Sequence, residues 1–254
     1  MTWSLQKASM WKRISAFLFD GIVLGVVVVL LGWAMSAALG YDRYYREVED
    51  AYARYAQAYG VNFNLSLSEY ESLSEAESSA LNAAYAALDA DESAVYAYNM
   101  LISLTLLILS LSVLSGLLLM DFAVPLLLGN GQTLGKKIFG LGLMRCDGVR
   151  VNAVTMFVRT LLGKYALETM IPLLIVIMIF LGVIGVIGPV ILGLILLMQL
   201  GLVAFSARRT AIHDLLASTV EVDLPSQRIF PTREDMIAFK QKAHAEKVSQ
   251  RTYP

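Results

Sequence analysis

The chain has 254 residues, of which 57% are hydrophobic and 16% charged, with a mean hydropathy of +0.62 and a formal net charge of −1. A soluble domain carries roughly a quarter charged residues, and here the apolar excess is gathered into long runs, so the expected surrounding is a bilayer rather than a large core. A single cysteine, Cys146, excludes an intrachain disulfide and a cysteine cage; with only His213 and His244 besides, far apart in sequence, no metal, no cofactor and no nucleic-acid partner is expected.

The first apolar run covers 14–39 and is interrupted among charged residues only by Asp20, with Lys7, Lys12 and Arg13 ahead of it. It is longer than the roughly 7–15 residues of a signal-peptide core, so it is expected to stay as a membrane helix. The next stretch, 41–98, is polar and acidic. Tyr41, Tyr45, Val48, Tyr52, Tyr55 and Tyr59 fall on one helical stripe that Gly60 ends. Ser68 and Glu71 have the spacing of a capping box, opening a second helix with Tyr70, Leu73, Ala80, Leu81, Ala84 and Leu88 on one side. The stretch reads as a helical hairpin. It is either a structural cap or a surface that docks a partner or attracts cations.

A second apolar run, 100–128, again holds one charged residue, Asp121. The basic segment after it carries Gly131, Gln132, Thr133, Gly135, Lys136 and Lys137. A phosphate-binding loop is excluded, because the glycine that motif needs is Asn130 and its hydroxyl residue is Lys137. The expectation is a glycine-flexed turn into an interfacial segment. Ile138, Phe139, Leu141 and Leu143 would touch the membrane, and Lys136 and Lys137 would meet anionic lipid headgroups. The last apolar region, 166–205, is twice the roughly 20 residues that one span needs. Gly182, Gly185, Gly188 and Pro189 supply a break, giving spans over 166–184 and 187–205; a single kinked or re-entrant element is the other reading.

Segments 1–13, 129–164 and 206–254 hold 3, 6 and 8 of the 20 lysines and arginines, while 40–99 holds only Arg43, Arg46 and Arg54 against eleven acidic residues. The positive-inside rule then puts both termini and the 129–164 loop in the cytoplasm. The expected fold is all-α, a polytopic membrane helix bundle of four spans with an extracytoplasmic helical hairpin between the first two. Its parts are 1–40, 41–98, 99–128, 129–165, 166–205 and 206–254: terminus and first span, hairpin, second span, basic loop, third and fourth spans, and tail. The tail is expected to begin a polar helix at Thr232.

Charges inside spans are costly and therefore informative. Asp20 has Arg13 on nearly the same helical face but about 10 Å away, so a bridge through water or a third residue is expected rather than a direct bond. Asp121 either lies level with Asp20 and shares a proton or cation with it, or sits at the headgroups. Glu168 follows Lys164 by four residues, the spacing of a local helix pair. Gln199 is expected to make an interhelical hydrogen bond.

Trp11-Lys-Arg13-Ile-Ser-Ala16-Phe-Leu-Phe-Asp20, Gly131-Gln-Thr-Leu-Gly135-Lys136-Lys137-Ile-Phe-Gly140-Leu and Ile212-His213-Asp214-Leu-Leu-Ala217-Ser-Thr219-Val resemble, in order, three motifs of the RDD family of bacterial membrane proteins. The resemblance covers 11–40 and 100–223. It implies that Arg13, Asp20 and Asp214 are the arginine and two aspartates that name the family. It also implies a multi-pass address in the cell membrane and suggests transport, with cation/proton antiport proposed for some members; the 41–98 insertion departs from the family's short loop. Two functions follow. One is a secondary transporter exchanging a monovalent cation for protons at Asp20, tuned by Arg13 and coupled to Asp121 or Asp214, working as a homo-oligomer because four spans are few. The other is a non-transporting scaffold or accessory subunit that docks a partner through the hairpin. No set of nucleophile and base suggests an enzyme.

Overall fold

The computed structural model describes residues 8–205 and 210–251; Lys7, Arg208 and Arg209, counted above among the basic flanks, lie outside them. In chain order, α1 (Met10–Leu39) is followed by α2 (Tyr41–Tyr59), the short α3 (Leu67–Glu71), α4 (Glu75–Ala90) and α5 (Glu92–Leu128). Next come α6 (Leu134–Ile138), β1 (Leu141–Arg145), α7 (Ala153–Phe180), α8 (Ile187–Phe205), α9 (Ile212–Leu216), β2 (Thr219–Asp223) and α10 (Arg233–Arg251). Among the described residues, α1, α5, α7 and α8 are long and apolar enough to cross a membrane. The shortest, α8, has 19 residues, about 28 Å at 1.5 Å per residue, close to the roughly 30 Å of a hydrocarbon core. The turn between α7 and α8 uses Gly182 and Gly185 at φ of +68° and +46°, and Pro189 lies in the first turn of α8, where its missing N–H costs nothing.

The third of these helices starts at Ala153, well before the expected 166. Asn152 caps it, its side-chain oxygen accepting from the Thr155 amide at 2.8 Å. Arg159 and Lys164 depress the hydropathy of this part and hide it from a search for apolar runs.

The chain forms two units, 29–112 and 1–28 with 113–254. In the first, left-handed glycines at Gly40 (φ 69°) and Gly60 (φ 66°) bound α2. α2 packs on α4 through small residues: Ala51 and Ala84 are buried together with Leu81 and Leu88. Phe63 stands edge-on to Tyr52 and Tyr85 at 5.1 and 5.0 Å. Tyr45 and Tyr70 of the expected stripes are exposed. The capping box lies elsewhere than Ser68 and Glu71. There are two, Ser66 with Glu69 and Ser74 with Glu77, opening α3 and α4. Overlapping Ser-x-x-Glu frames made the expected register one of four that the sequence offers.

In the second unit, β1 and β2 pair antiparallel from Leu141 opposite Asp223 to Arg145 opposite Thr219. This overturns the interfacial reading for Leu141 and Leu143, both fully buried. Their every-second-residue spacing is that of a strand, and the partner that completes the ladder lies far along the chain. Phe139 packs against Ala8, Ala16 and Leu141; Ile138 remains exposed. At the tail, Thr232 caps α10, its hydroxyl accepting from the Asp235 amide at 3.1 Å.

Candidate functional site

The site grows from the Gly-Gln-Thr-Leu-Gly-Lys loop. Asn130 and Gly131 take positive φ, and a Cβ on Gly131 would stand 2.7 Å from that of Leu143. The turn therefore needs glycine where it meets β1. Gln132 donates from Nε2 to the Leu141 carbonyl at 2.7 Å. The Thr133 hydroxyl caps α6, accepting from the Lys136 amide, and donates to Asp20 Oδ2 at 2.5 Å. The Gly135 amide donates to Asp20 Oδ1 at 2.7 Å. A side chain at Gly135 would put Cβ 2.5 Å from the Ala16 carbonyl oxygen, so the close approach of loop and α1 depends on its absence. Asp20 is thus held by two neutral donors, not through Arg13.

Arg13 instead donates from Nε to Glu221 Oε2 at 2.7 Å, and Lys136 Nζ lies 2.6 Å from Glu221 Oε1. This buries Lys136 and leaves Lys137 as the exposed lysine of the pair. A headgroup contact at Lys136 is therefore displaced by its ion pair with β2.

Behind Glu221 lies Arg159, only 1% exposed, with Nε 2.8 Å from Oδ1 of the equally buried Asp214. Asp214 also accepts from the Thr219 hydroxyl at 2.8 Å. Arg159 Nη2 reaches His213 Nε2 at 2.9 Å. Arginine can only donate, so Nε2 accepts and the imidazole proton sits on Nδ1. Nδ1 faces Glu168 Oε2 at 2.7 Å, and the His213 amide donates to Glu168 Oε1 at 2.9 Å. Gly163 makes this approach possible, since a Cβ there would lie 2.5 Å from that of His213.

Electrostatics follow from burial and neighbours. Burial pushes the His213 pKa down, against an opposing pull from Asp214, which keeps the ring neutral as its hydrogen bonds require. Burial acts to raise Asp214 and Glu221, but Arg159 on the first and Lys136 on the second hold both well below the ordinary carboxylate range. Burial, followed by Arg159, lowers the Lys136 pKa.

Asp121 pairs with Lys164 Nζ at 2.5 Å. The expected Lys164–Glu168 pair is therefore replaced by Lys164–Asp121 and Glu168–His213. The helical path here is widened: residues 118–123 and 158–170 are π-helical, which turns their side chains off the regular helical faces. Pro125 cannot donate to the carbonyl four residues back, and that carbonyl, of Asp121, accepts from the Thr160 hydroxyl at 3.0 Å instead.

These groups line one cavity of about 590 Å³ that includes Arg13, Asp20, Asp121, Lys136, Arg159 and Asp214. Arg13, Asp20, Asp121 and Asp214 thus come to one place, but Asp20 and Asp121 are each bonded elsewhere rather than to each other. Lys136, Arg159, Lys164, Glu168, His213 and Glu221 complete the set, and of these only Lys136 belonged to the expected site. One signal was present in the sequence: Asp121 and Glu168 each stand four residues before a proline, Pro125 and Pro172, the spacing that frees a carbonyl within a span. Gln199 also lines the cavity and makes its expected interhelical bond, from α8 to Glu168 on α7; its Oε1 is buried with no hydrogen-bond partner among the described residues.

Comparison with curated proteins and with solved structures gives no match. A family model described as the RDD family matches residues 7–218, taking in Arg13, Asp20, the 131–136 loop and Asp214, and the chain belongs to that family.

Proposed function

We propose that this RDD-family membrane protein is a secondary transporter that exchanges a monovalent cation for a proton at Asp20. One observation carries the reading. Five carboxylates line the cavity: Asp121, Asp214 and Glu221 each pair with a lysine or arginine, Glu168 is bonded to the neutral His213, and Asp20 meets no basic side chain among the described residues, only the Thr133 hydroxyl and the Gly135 amide. A carboxylate held by neutral donors and open to a cavity can trade a proton for a cation without breaking an ion pair. The basic flanks favour both termini and the loop in the cytoplasm, with the hairpin outside and Lys137 at the headgroups. Four spans favour a homo-oligomer in the cell membrane.

The test is purified protein in liposomes carrying a pH-sensitive dye, with sodium or potassium added outside. Exchange acidifies or alkalises the lumen in wild type and is lost in Asp20→Asn. Equal flux in both proteins removes the proposal. The scaffold reading is favoured by a different observation, that four of the five carboxylates are already paired within the molecule. It predicts a set of co-purifying proteins that deletion of 41–98 abolishes, with no ion flux from the intact protein.

A further inference from the structure

The size of the cavity bears on which cation Asp20 takes. A water molecule occupies about 30 Å³, and a bare monovalent ion is of that order, whereas the cavity is about 590 Å³. That volume falls in the roughly 300–1,000 Å³ range of sites for organic ligands. Its wall is apolar on the side of the spans, where Phe17, Leu24, Leu117, Leu200 and Val203 face it. Its polar side is largely saturated from within: the cations Arg13, Lys136, Arg159 and Lys164 are each in an ion pair with a carboxylate, so an anionic head meets cations already engaged. Two acceptors among the lining residues are left over. One is the Asp20 carboxylate, which meets no cation; the other is Gln199 Oε1, buried and without a hydrogen-bond partner among the described residues, while the Gln199 side chain bonds Glu168. An orphaned buried acceptor calls for a donor. The charges agree. Five lining carboxylates face four lysines and arginines, with His213 neutral, which leaves room for one positive charge.

We propose that the cavity binds an amphipathic organic monocation, a protonated amine carrying an apolar body. The ammonium sits between Asp20 and Gln199 Oε1, and the body lies against the wall formed by Phe17, Leu24, Leu117, Leu200 and Val203. The inference rests on the reading of Asp20 as the exchange group and names the class of cation exchanged.

Wild type, Asp20→Asn and Gln199→Leu in lipid nanodiscs are titrated by calorimetry with 4-phenylbutylamine, 4-phenylbutyrate and sodium chloride. The amine binds wild type saturably and the carboxylate does not. Asp20→Asn weakens the amine by at least about tenfold through loss of the charge pair, and Gln199→Leu by about tenfold through loss of the hydrogen bond. Gln199→Leu keeps the test decisive if Asp20→Asn disturbs the loop, because Gln199 lies outside that loop; it removes the side-chain bond to Glu168 together with Oε1, so an unchanged melting point in the nanodiscs is required of it before the titration is compared. Sodium binding that Asp20→Asn removes, with no amine binding, overturns the organic-cation proposal and leaves cation exchange at Asp20 standing. Amine uptake matched by 4-phenylbutyrate and indifferent to both substitutions is partition into lipid and overturns it as well. Amine binding that both substitutions weaken, without any coupled proton flux in liposomes, supports the amine site and removes the exchange reading.

Discussion

The 29–112 unit and the charged network around Arg159 hold their shape by opposite means. In the first, besides the packing of α2 on α4, most polar contacts join neighbours in sequence: capping boxes three residues apart, glycines that bound α2 at both ends, and an Arg43–Glu47 pair one turn apart at 2.9 Å. The second is fixed by pairs distant in sequence, with 208 positions between Arg13 and Glu221 and 55 between Arg159 and Asp214. Local contacts are individually weak and solvent-screened, and losing one leaves the rest in place. Buried pairs are coupled, and losing one member strands a charge. The difference teaches that the polar residues of this chain divide into a dispensable set and a mutually dependent one, although both kinds occur in helices.

Four substitutions or conditions sharpen that contrast, beginning with the largest effect. Arg159→Met leaves Asp214 buried and uncompensated and is expected to cost about 3–5 kcal/mol; thermal unfolding in detergent should show it as the lowest melting point of the series, and an unchanged melt would mean that the network is not coupled. Gly135→Ala forces a Cβ against the Ala16 carbonyl oxygen and should cost about 1–3 kcal/mol, together with faster hydrogen exchange at the loop amides. Acidification reads the same network through its protons. His213 has a depressed folded pKa, so its contribution is present above the unfolded value of about 6.5 and declines as pH falls below it. Asp214 and Glu221, also depressed, hold their contributions above about 4 and lose them below. Stability measured against pH should therefore fall in two stages on the acid side, and His213→Gln should flatten the first. The smallest effect belongs to the hairpin: Ser74→Ala removes one cap, worth about 1 kcal/mol, and circular dichroism should register a slight loss of helix with no change in the first, histidine stage of the acid profile.

The same contrast marks how far the sequence could be read. The spans, the hairpin and the caps rest on composition and on spacings of three or four residues, and they were legible from the residues alone. The caps failed only in register, because Ser66, Ser68, Ser72 and Ser74 each have a glutamate three residues on. At the site, the positions of Arg13, Asp20, Asp214 and the 131–136 loop were legible, but their partners were not. Glu221 and Arg159 looked like ordinary charges of a basic loop and a tail. Nothing in a linear pattern says that β2 returns to β1 and carries Glu221 to Lys136. The helical start at Ala153 was hidden for a related reason, since the buried Arg159 counts against hydropathy although its charge is answered within the fold.

The bond from Thr160 to the Asp121 carbonyl, made where Pro125 withholds its own N–H, has a consequence that the ion pairs do not share. It joins α5 to α7 through two uncharged partners, so no proton titrates it across the physiological range and no counterion competes for it. Beside it, Lys164 and Asp121 link the same two helices by charge, and that link weakens when acid protonates the carboxylate. The two helices are therefore joined at one point by a fastening that senses its surroundings and a fastening that ignores them. Conditions that loosen the network leave this seam closed.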